Sequence, residues 1–202
     1  MKYINFENKK ILPCKIVCVG RNYVEHIEEL NNEFPSEPVY FMKPNSSISD
    51  KIKVVDYSTM HYEGEICFLI ENKKPVGVGF GFDMTLRKIQ SKLKQKGLPW
   101  ERAKAFKNSA VFSEFVEFRG FDGLEVEVIK NGELVQKGGV ELMIYKPEFL
   151  INDIDKIFSL EDGDIIMSGT PKGVGVVEKG DEFIGRILQN GKVLVEKKFI
   201  AD

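Results

Sequence analysis

The chain is poor in the side chains that build disulfide, zinc or haem sites: of 202 residues, three are cysteine, two histidine and one tryptophan. An odd trio, Cys14, Cys18 and Cys67, makes no disulfide framework. Cys14 and Cys18 have a loose metal-ligand spacing, but no second Cys/His pair completes a tetrahedral site, and the three read as buried thiols in a reducing cytoplasm. No run approaches the ~20 apolar residues of a membrane span. The opening MKYINFENKK lacks the apolar core of a secretory signal, so a cytoplasmic location is expected. There is no excess of positive charge either. Net charge is −2 and the pI about 5.9, which gives no footprint for a nucleic-acid backbone. Two glycine-rich pieces also fall short of nucleotide motifs. GVGFG at 77–81 is not G-x-G-x-x-G, and GTPKGVG at 169–175 lacks the G-K-[ST] ending of a Walker loop. The latter retains the capacity to cradle a smaller anion with backbone N–H groups.

What is present is an ordinary globular composition, 43% hydrophobic and 30% charged, long enough for one domain spanning 1–202. Short strand-like runs dominate: 15–19, 39–42, 62–70, 125–130, 133–137, 164–168, 182–188 and 193–199. Asn131-Gly132 and Asn190-Gly191 each sit between alternating runs and predict two-residue hairpins. Three helices are expected. One runs from Tyr23 to Leu30 and one follows Asp83 on a Leu86, Ile89, Leu93 stripe. The third covers 147–158 with Phe149, Leu150, Ile154 and Ile157 inward. Lys88, Lys92, Lys94 and Lys96 on the second read as a solvated face. The fold class is α+β, dominated by strands.

HYEGEICFLI, at 61–70, carries the chemistry. Alternation along a strand puts His61, Glu63, Glu65, Cys67 and Leu69 on one side. Tyr62, Gly64, Ile66, Phe68 and Ile70 fall on the other, and both faces turn apolar, as in a strand covered on both sides. Two buried carboxylates about 6–7 Å apart on one face repel each other and lose hydration, at a cost of several kcal/mol unless a cation neutralises them. Oxygen-only ligands suit Mg²⁺ or Mn²⁺. A solvated strand edge is the plainer alternative. Asp83 is either a helix N-cap, a third ligand, or both. His26 and Glu29, three apart on one helix, form either a Glu-oriented general base or two members of a solvated face.

A series of motifs goes further. Gly20-Arg21-Asn22-Tyr23 with His26 and Glu29, SEPVYFMKP at 36–44, HYEGE at 61–65 and DMTLRKIQ at 83–90 occur in order. KGLPWERAKAF at 96–106, NGELVQ at 131–136 and GDIIMSGTPKGVG at 163–175 follow. This series resembles the fumarylacetoacetate hydrolase family, in its small acylpyruvate hydrolase and oxaloacetate decarboxylase branch, from about Lys15 to the C-terminal strand. The resemblance implies a mixed β-sandwich roll and a homodimer. It maps metal ligands onto Glu63, Glu65 and Asp83, with Mg²⁺ or Mn²⁺ as cofactor. It maps the catalytic pair onto His26 and Glu29, with His26 on a lid segment, and a catalytic, substrate-binding lysine onto Lys104. Arg21, Asn22, Tyr23, Gln90, Gly169 and Thr170 complete the implied substrate contacts.

The implied substrates are short 2-oxo acids that chelate the metal and pass through an enolate. Hydrolytic C–C cleavage of an acylpyruvate ranks first. Oxaloacetate decarboxylation or keto–enol tautomerisation, or an isomerase of the 2-hydroxyhepta-2,4-diene-1,7-dioate type, comes second. A non-catalytic dicarboxylate- or metal-binding relative is the reading from another class. The chain departs from the family pattern between Glu71 and Gly81, where relatives insert a helix and ENKKPVGVGFGF is expected to cross as a tight turn. Lys107 stands where many members have Asp, and AVFSEF at 110–115 replaces a Pro-containing version.

Overall fold

Glycine at every second position of Gly77-Val78-Gly79-Phe80-Gly81 clears one face of a strand while Val78, Phe80 and Phe82 fill the other. A Cβ on Gly79 would lie 3.0 Å from the Phe115 ring, and one on Gly81 only 2.5 Å from Cys67 Sγ. In the computed structural model, which describes residues 1–29 and 34–202, this segment is the strand Lys74–Asp83. It pairs with Gly64–Glu71 through a two-residue turn at Asn72-Lys73, both at positive φ as a type I′ hairpin requires. The expected crossing is therefore tight only at its first residues, and the rest is a central strand. Glycine suppresses the β signal, so periodicity did not reveal it.

Among the described residues these two strands lie inside a nine-stranded mixed sheet. Outward from Gly64–Glu71 come Ile165–Met167, Lys15–Gly20 and Val39–Pro44; outward from Lys74–Asp83 come Ala110–Val116, Ile4–Phe6 and Lys9–Ile11, with Ile48–Ser49 also pairing with Ala110–Val116 as the ninth. Ile165–Met167 runs parallel to Lys15–Gly20, and the other central pairings are antiparallel. A second, antiparallel sheet is ordered Glu133–Gly139, Leu124–Lys130, Glu182–Gln189 and Lys192–Ile200. Its two hairpins turn at Asn131-Gly132 and Asn190-Gly191, all four residues at positive φ, as the sequence predicts.

The main core lies between the sheets. Phe80 and Phe82 meet Phe183 and Phe199 of the second sheet with ring centroids 5.4–6.0 Å apart. Each such ring contributes about 1.5–3 kcal/mol by burial. The opposite face of the large, curled sheet is also buried, its own side chains Ile16, Cys18, Cys67, Leu69, Phe112 and Met167 packing together in a second cluster. The two-sided burial read from residues 64–70 is therefore present: every residue from Gly64 to Ile70 is buried. Cys18 and Cys67 are buried thiols as expected, whereas Cys14 is exposed.

Helices are few. Val24–Glu29 matches the described part of the first expected helix; Leu30 lies outside the described residues. Pro147–Phe158 has the expected span, but of its expected stripe only Leu150 and Ile154 turn inward; Ile151 joins them, and Phe149 and Ile157 are exposed. The helix after Asp83 begins at Arg87, with Leu86 at its N-cap position. Asp83 therefore ends a strand and caps nothing. Among the described residues, no helix is long and apolar enough to cross a membrane.

Candidate metal and substrate site

Pairing of Glu65 with Gly81 and of Gly64 with Phe82 brings Asp83 across from Glu63, whose carbonyl accepts the Asp83 N–H at 2.8 Å. The strand expected over 62–70 is broken at Glu63, which sits between the strands Met60–Tyr62 and Gly64–Glu71, while Glu65 lies within the second; the carboxylates of both still reach one cluster. Carboxylate oxygens of all three lie within 4.8 Å of one another. Their exposures are 5%, 1% and 1%, so the solvated-edge alternative fails on burial.

Three cations surround the cluster. Lys104 Nζ, itself buried, lies 2.7 Å from Glu63 Oε2 and 2.6 Å from Thr85 Oγ1, and also pairs with Asp83 Oδ2. Arg87 pairs with the other oxygen of Glu63. Lys43 Nζ, fully buried, stands 2.8 Å from Asp83 Oδ1 and donates to the Lys104 carbonyl. Asp83 is thus ion-paired through both oxygens, Oδ1 to Lys43 and Oδ2 to Lys104. Glu65 differs from the other two. Its Oε2 accepts the Gly169 N–H at 2.8 Å. Burial and the neighbouring Asp83 charge push its carboxyl well above the ordinary value. Burial would do the same to Glu63, but the Lys104 and Arg87 charges outweigh it and hold Glu63 well below.

Three buried carboxylates converging within 4.8 Å, one of them with its pKa pushed up by burial and the Asp83 charge, form an all-oxygen donor set suited to a hard divalent cation. Glu63, Glu65 and Asp83 would hold it.

The same cluster forms one wall of a cavity of about 40 Å³. Of the other residues expected at the site, Arg21, His26, Gln90, Lys104 and Thr170 line it. His26 is nearly buried, and its Nδ1 is 3.2 Å from Glu29 Oε2, while the other oxygen of Glu29 accepts the Gly173 N–H at 2.9 Å. Burial lowers the His26 pKa against the raising influence of Glu63 and Glu29. The imidazole is thus biased toward its neutral form and oriented by its carboxylate partner. Arg21 has φ +56°, in the left-handed region uncommon outside glycine.

Three expected substrate contacts have other roles in the structure. Asn22 is buried, donating from Nδ2 to the Tyr145 and Ser168 carbonyls and accepting the Tyr145 N–H through Oδ1. Tyr23 is buried beside Gly138 and faces a different hollow, with Glu141 and Pro171. Gly169 acts through its backbone, holding Glu65 at a φ of +104° where a Cβ would meet Asn22 Cβ at 2.8 Å. Thr170 Oγ1 donates to the Gly64 carbonyl at 2.9 Å, so its placement fixes the loop against the ligand strand.

Sequence reasoning passed over Lys43, Arg87 and Lys94. Lys43 and Arg87 stand inside SEPVYFMKP and DMTLRKIQ, and the alternation that pairs Phe41 with Lys43 on one strand face was the available signal. Lys94 was read as solvated, yet it is half-buried and lines the cavity.

The sequence profile described as fumarylacetoacetate (FAA) hydrolase C-terminal matches residues 15–197. The chain belongs to the fumarylacetoacetate hydrolase family. It is 38% identical over 187 residues to oxaloacetate tautomerase YcgM of Escherichia coli (strain K12), covering 83% of this chain and 85% of that one. A putative fumarylacetoacetate isomerase/hydrolase from Oleispira antarctica superposes with a TM-score of 0.95 at 34% identity, over the whole of both chains. Fumarylpyruvate hydrolase from Pseudomonas aeruginosa, solved in complex with Mn²⁺ and pyruvate, gives a TM-score of 0.89 at 25% identity, covering 99% of this chain and 95% of that one. The strand-dominated α+β fold with a curled mixed sheet is thus the fold of this family.

Proposed function

We propose that this chain is a Mg²⁺- or Mn²⁺-dependent enzyme that moves a proton at the carbon next to the carbonyl of a short 2-oxo acid, with keto–enol tautomerisation of oxaloacetate as its first reaction. The observation that carries the reading is one small cavity lined by a neutral base, His26, a buried ammonium, Lys104, and the carboxylate triad. When bound, the cation would supply Lewis-acid polarisation of the 2-oxo group.

The remaining steps belong to the protein's own side chains. Lys104 donates to the substrate carboxylate or carbonyl oxygen, with Arg21, Gln90 and Thr170 orienting the acid in the cavity. His26, held by Glu29, accepts the proton from C3 and returns it to oxygen or carbon. Burial around the cavity strengthens each of these interactions.

Hydrolytic cleavage of an acylpyruvate is the second reading. It is supported by the likeness to fumarylpyruvate hydrolase, and by His26–Glu29 as a pair able to activate water. From sequence alone it stood first; the tautomerase relative and the small cavity move it behind oxaloacetate. Decarboxylation of oxaloacetate shares the same enolate and is assayed alongside. We take the enzyme to act as one domain over 1–202, as a cytoplasmic homodimer, which sedimentation equilibrium tests for the dimer.

The deciding experiment follows the ultraviolet absorbance of enol-oxaloacetate with purified protein and Mg²⁺ or Mn²⁺. Metal-dependent acceleration is expected. A decay indistinguishable from the spontaneous one, with either metal, removes the tautomerase reading, and the same protein given acetylpyruvate then tests the second.

A further inference from the structure

The helix Arg87–Gln95 sends Arg87, Gln90 and Lys94 into the cavity from positions i, i+3 and i+7. Those spacings share one helix face, and seven residues advance about 10 Å along the axis. At one end Arg87 pairs with Glu63 of the carboxylate triad. At the other, Lys94 Nζ lies 5.8 Å from the Trp100 ring. Trp100 stands 5.9 Å from Phe41, and Lys104 Nζ is 4.9 Å from the Phe41 ring. Two ammonium groups therefore stand at opposite ends of an aromatic wall formed by Phe41 and Trp100. Lys104 is the one at the carboxylates.

We propose that Lys94 binds the far carboxylate of a dicarboxylic 2-oxo acid whose 2-oxo end lies against Lys104, and so separates dicarboxylic from monocarboxylic substrates. The inference rests on the proposed function and adds the residue that would set its substrate class. A four-carbon 2-oxo diacid carries its two carboxylates at opposite ends of a chain short enough to lie along the wall. The flexible stem of lysine closes the remaining distance.

Electrostatics agree. Burial, then the charges of Arg21 and Arg87, lower the Lys94 pKa to about 8 against the attraction of Glu63, with Lys104 adding further repulsion. An arriving carboxylate offsets part of that repulsion.

The test uses two unreactive α-hydroxy acids that differ only by the far carboxylate, lactate and malate, titrated calorimetrically into the Mn²⁺-loaded protein. The wild-type protein is expected to bind malate at least about tenfold more tightly than lactate, and Lys94→Met to lose about that factor for malate while lactate changes by less than about twofold. Lys94→Arg is expected to retain the preference. If Lys94→Met weakens both acids equally, or leaves malate unchanged, or if the wild type shows no preference, Lys94 is not the contact. Because neither acid turns over, intact discrimination in a protein that fails to tautomerise oxaloacetate would overturn the proposed activity and leave this inference standing.

Discussion

The Lys104 ammonium lies 2.7 Å from Glu63 Oε2, with the two side chains only 3% and 6% exposed. A pair so sealed is costly to break, because removing one member leaves the other charged and dry. Lys104→Met should lower stability in the absence of divalent metal by about 3–5 kcal/mol, and Mg²⁺ should restore part of the loss by replacing the missing positive charge. Urea denaturation with and without Mg²⁺ measures both. A loss below about 1 kcal/mol that Mg²⁺ does not alter would mean that Arg87 and Lys43 neutralise Glu63 and Asp83 without Lys104.

Glu65 is the proposed ligand with no lysine or arginine partner among the described residues, and its acceptance of the Gly169 N–H can be reproduced by an amide oxygen. Glu65→Gln should therefore change folding stability by less than about 1 kcal/mol while lowering Mn²⁺ affinity at least about tenfold, the scale on which even supporting partners of a metal site act. Calorimetric titration with Mn²⁺ beside thermal unfolding separates the two effects. Unchanged Mn²⁺ affinity would remove Glu65 from the ligand set.

The contrast between Glu65 and Lys43 shows which parts of the site were legible in sequence. Glu63 and Glu65 could be read because two acids beside a long apolar run are a local feature, although Glu63 falls in the break before the strand that holds Glu65. Asp83 could be assigned only by the family motif, since its position opposite Glu63 depends on a hairpin whose second strand is masked by alternating glycines. Lys43 and Arg87 meet the carboxylates from other elements; alternation could place Lys43 on a strand face with Phe41 but could not show which carboxylate that face meets. Asn22 lies inside a functional motif, but its side chain satisfies backbone groups of another segment, which only the three-dimensional path reveals. The helix 147–158 was placed correctly by spacing, while its inward face was set by packing and left Phe149 outside.

His26 offers a test in pH. Burial lowers its pKa below the ordinary 6.5, against the pull of Glu63 and Glu29. The base form is then fully present above pH 6.5 and is lost only as pH falls through the lower folded value. A bound divalent cation moves it further the same way. The acidic limb of kcat/KM for enol-oxaloacetate should thus lie below pH 6.5, and folding stability tied to this group should decline over the same acidic window. His26→Ala should lower kcat by about 10²–10⁴-fold and abolish that limb, with Mn²⁺ affinity unchanged. A limb that survives the substitution belongs to another group.

Asn22 separates architecture from recognition. Its amide bridges the loop after the Lys15–Gly20 strand to Tyr145 and Ser168, and Gly169, next in the chain, holds Glu65. Asn22→Ala would leave a buried N–H and two carbonyls without that partner, each worth about 1–3 kcal/mol when stranded. The variant should unfold several degrees earlier, and its Mn²⁺ affinity should fall as Gly169 loosens around Glu65. An Asn22 that acted by touching substrate would instead raise KM at unchanged melting temperature and unchanged Mn²⁺ affinity. Differential scanning calorimetry, Mn²⁺ titration and oxaloacetate kinetics on the one variant decide between the two, because a backbone brace moves the first two readouts and a substrate contact moves only the third.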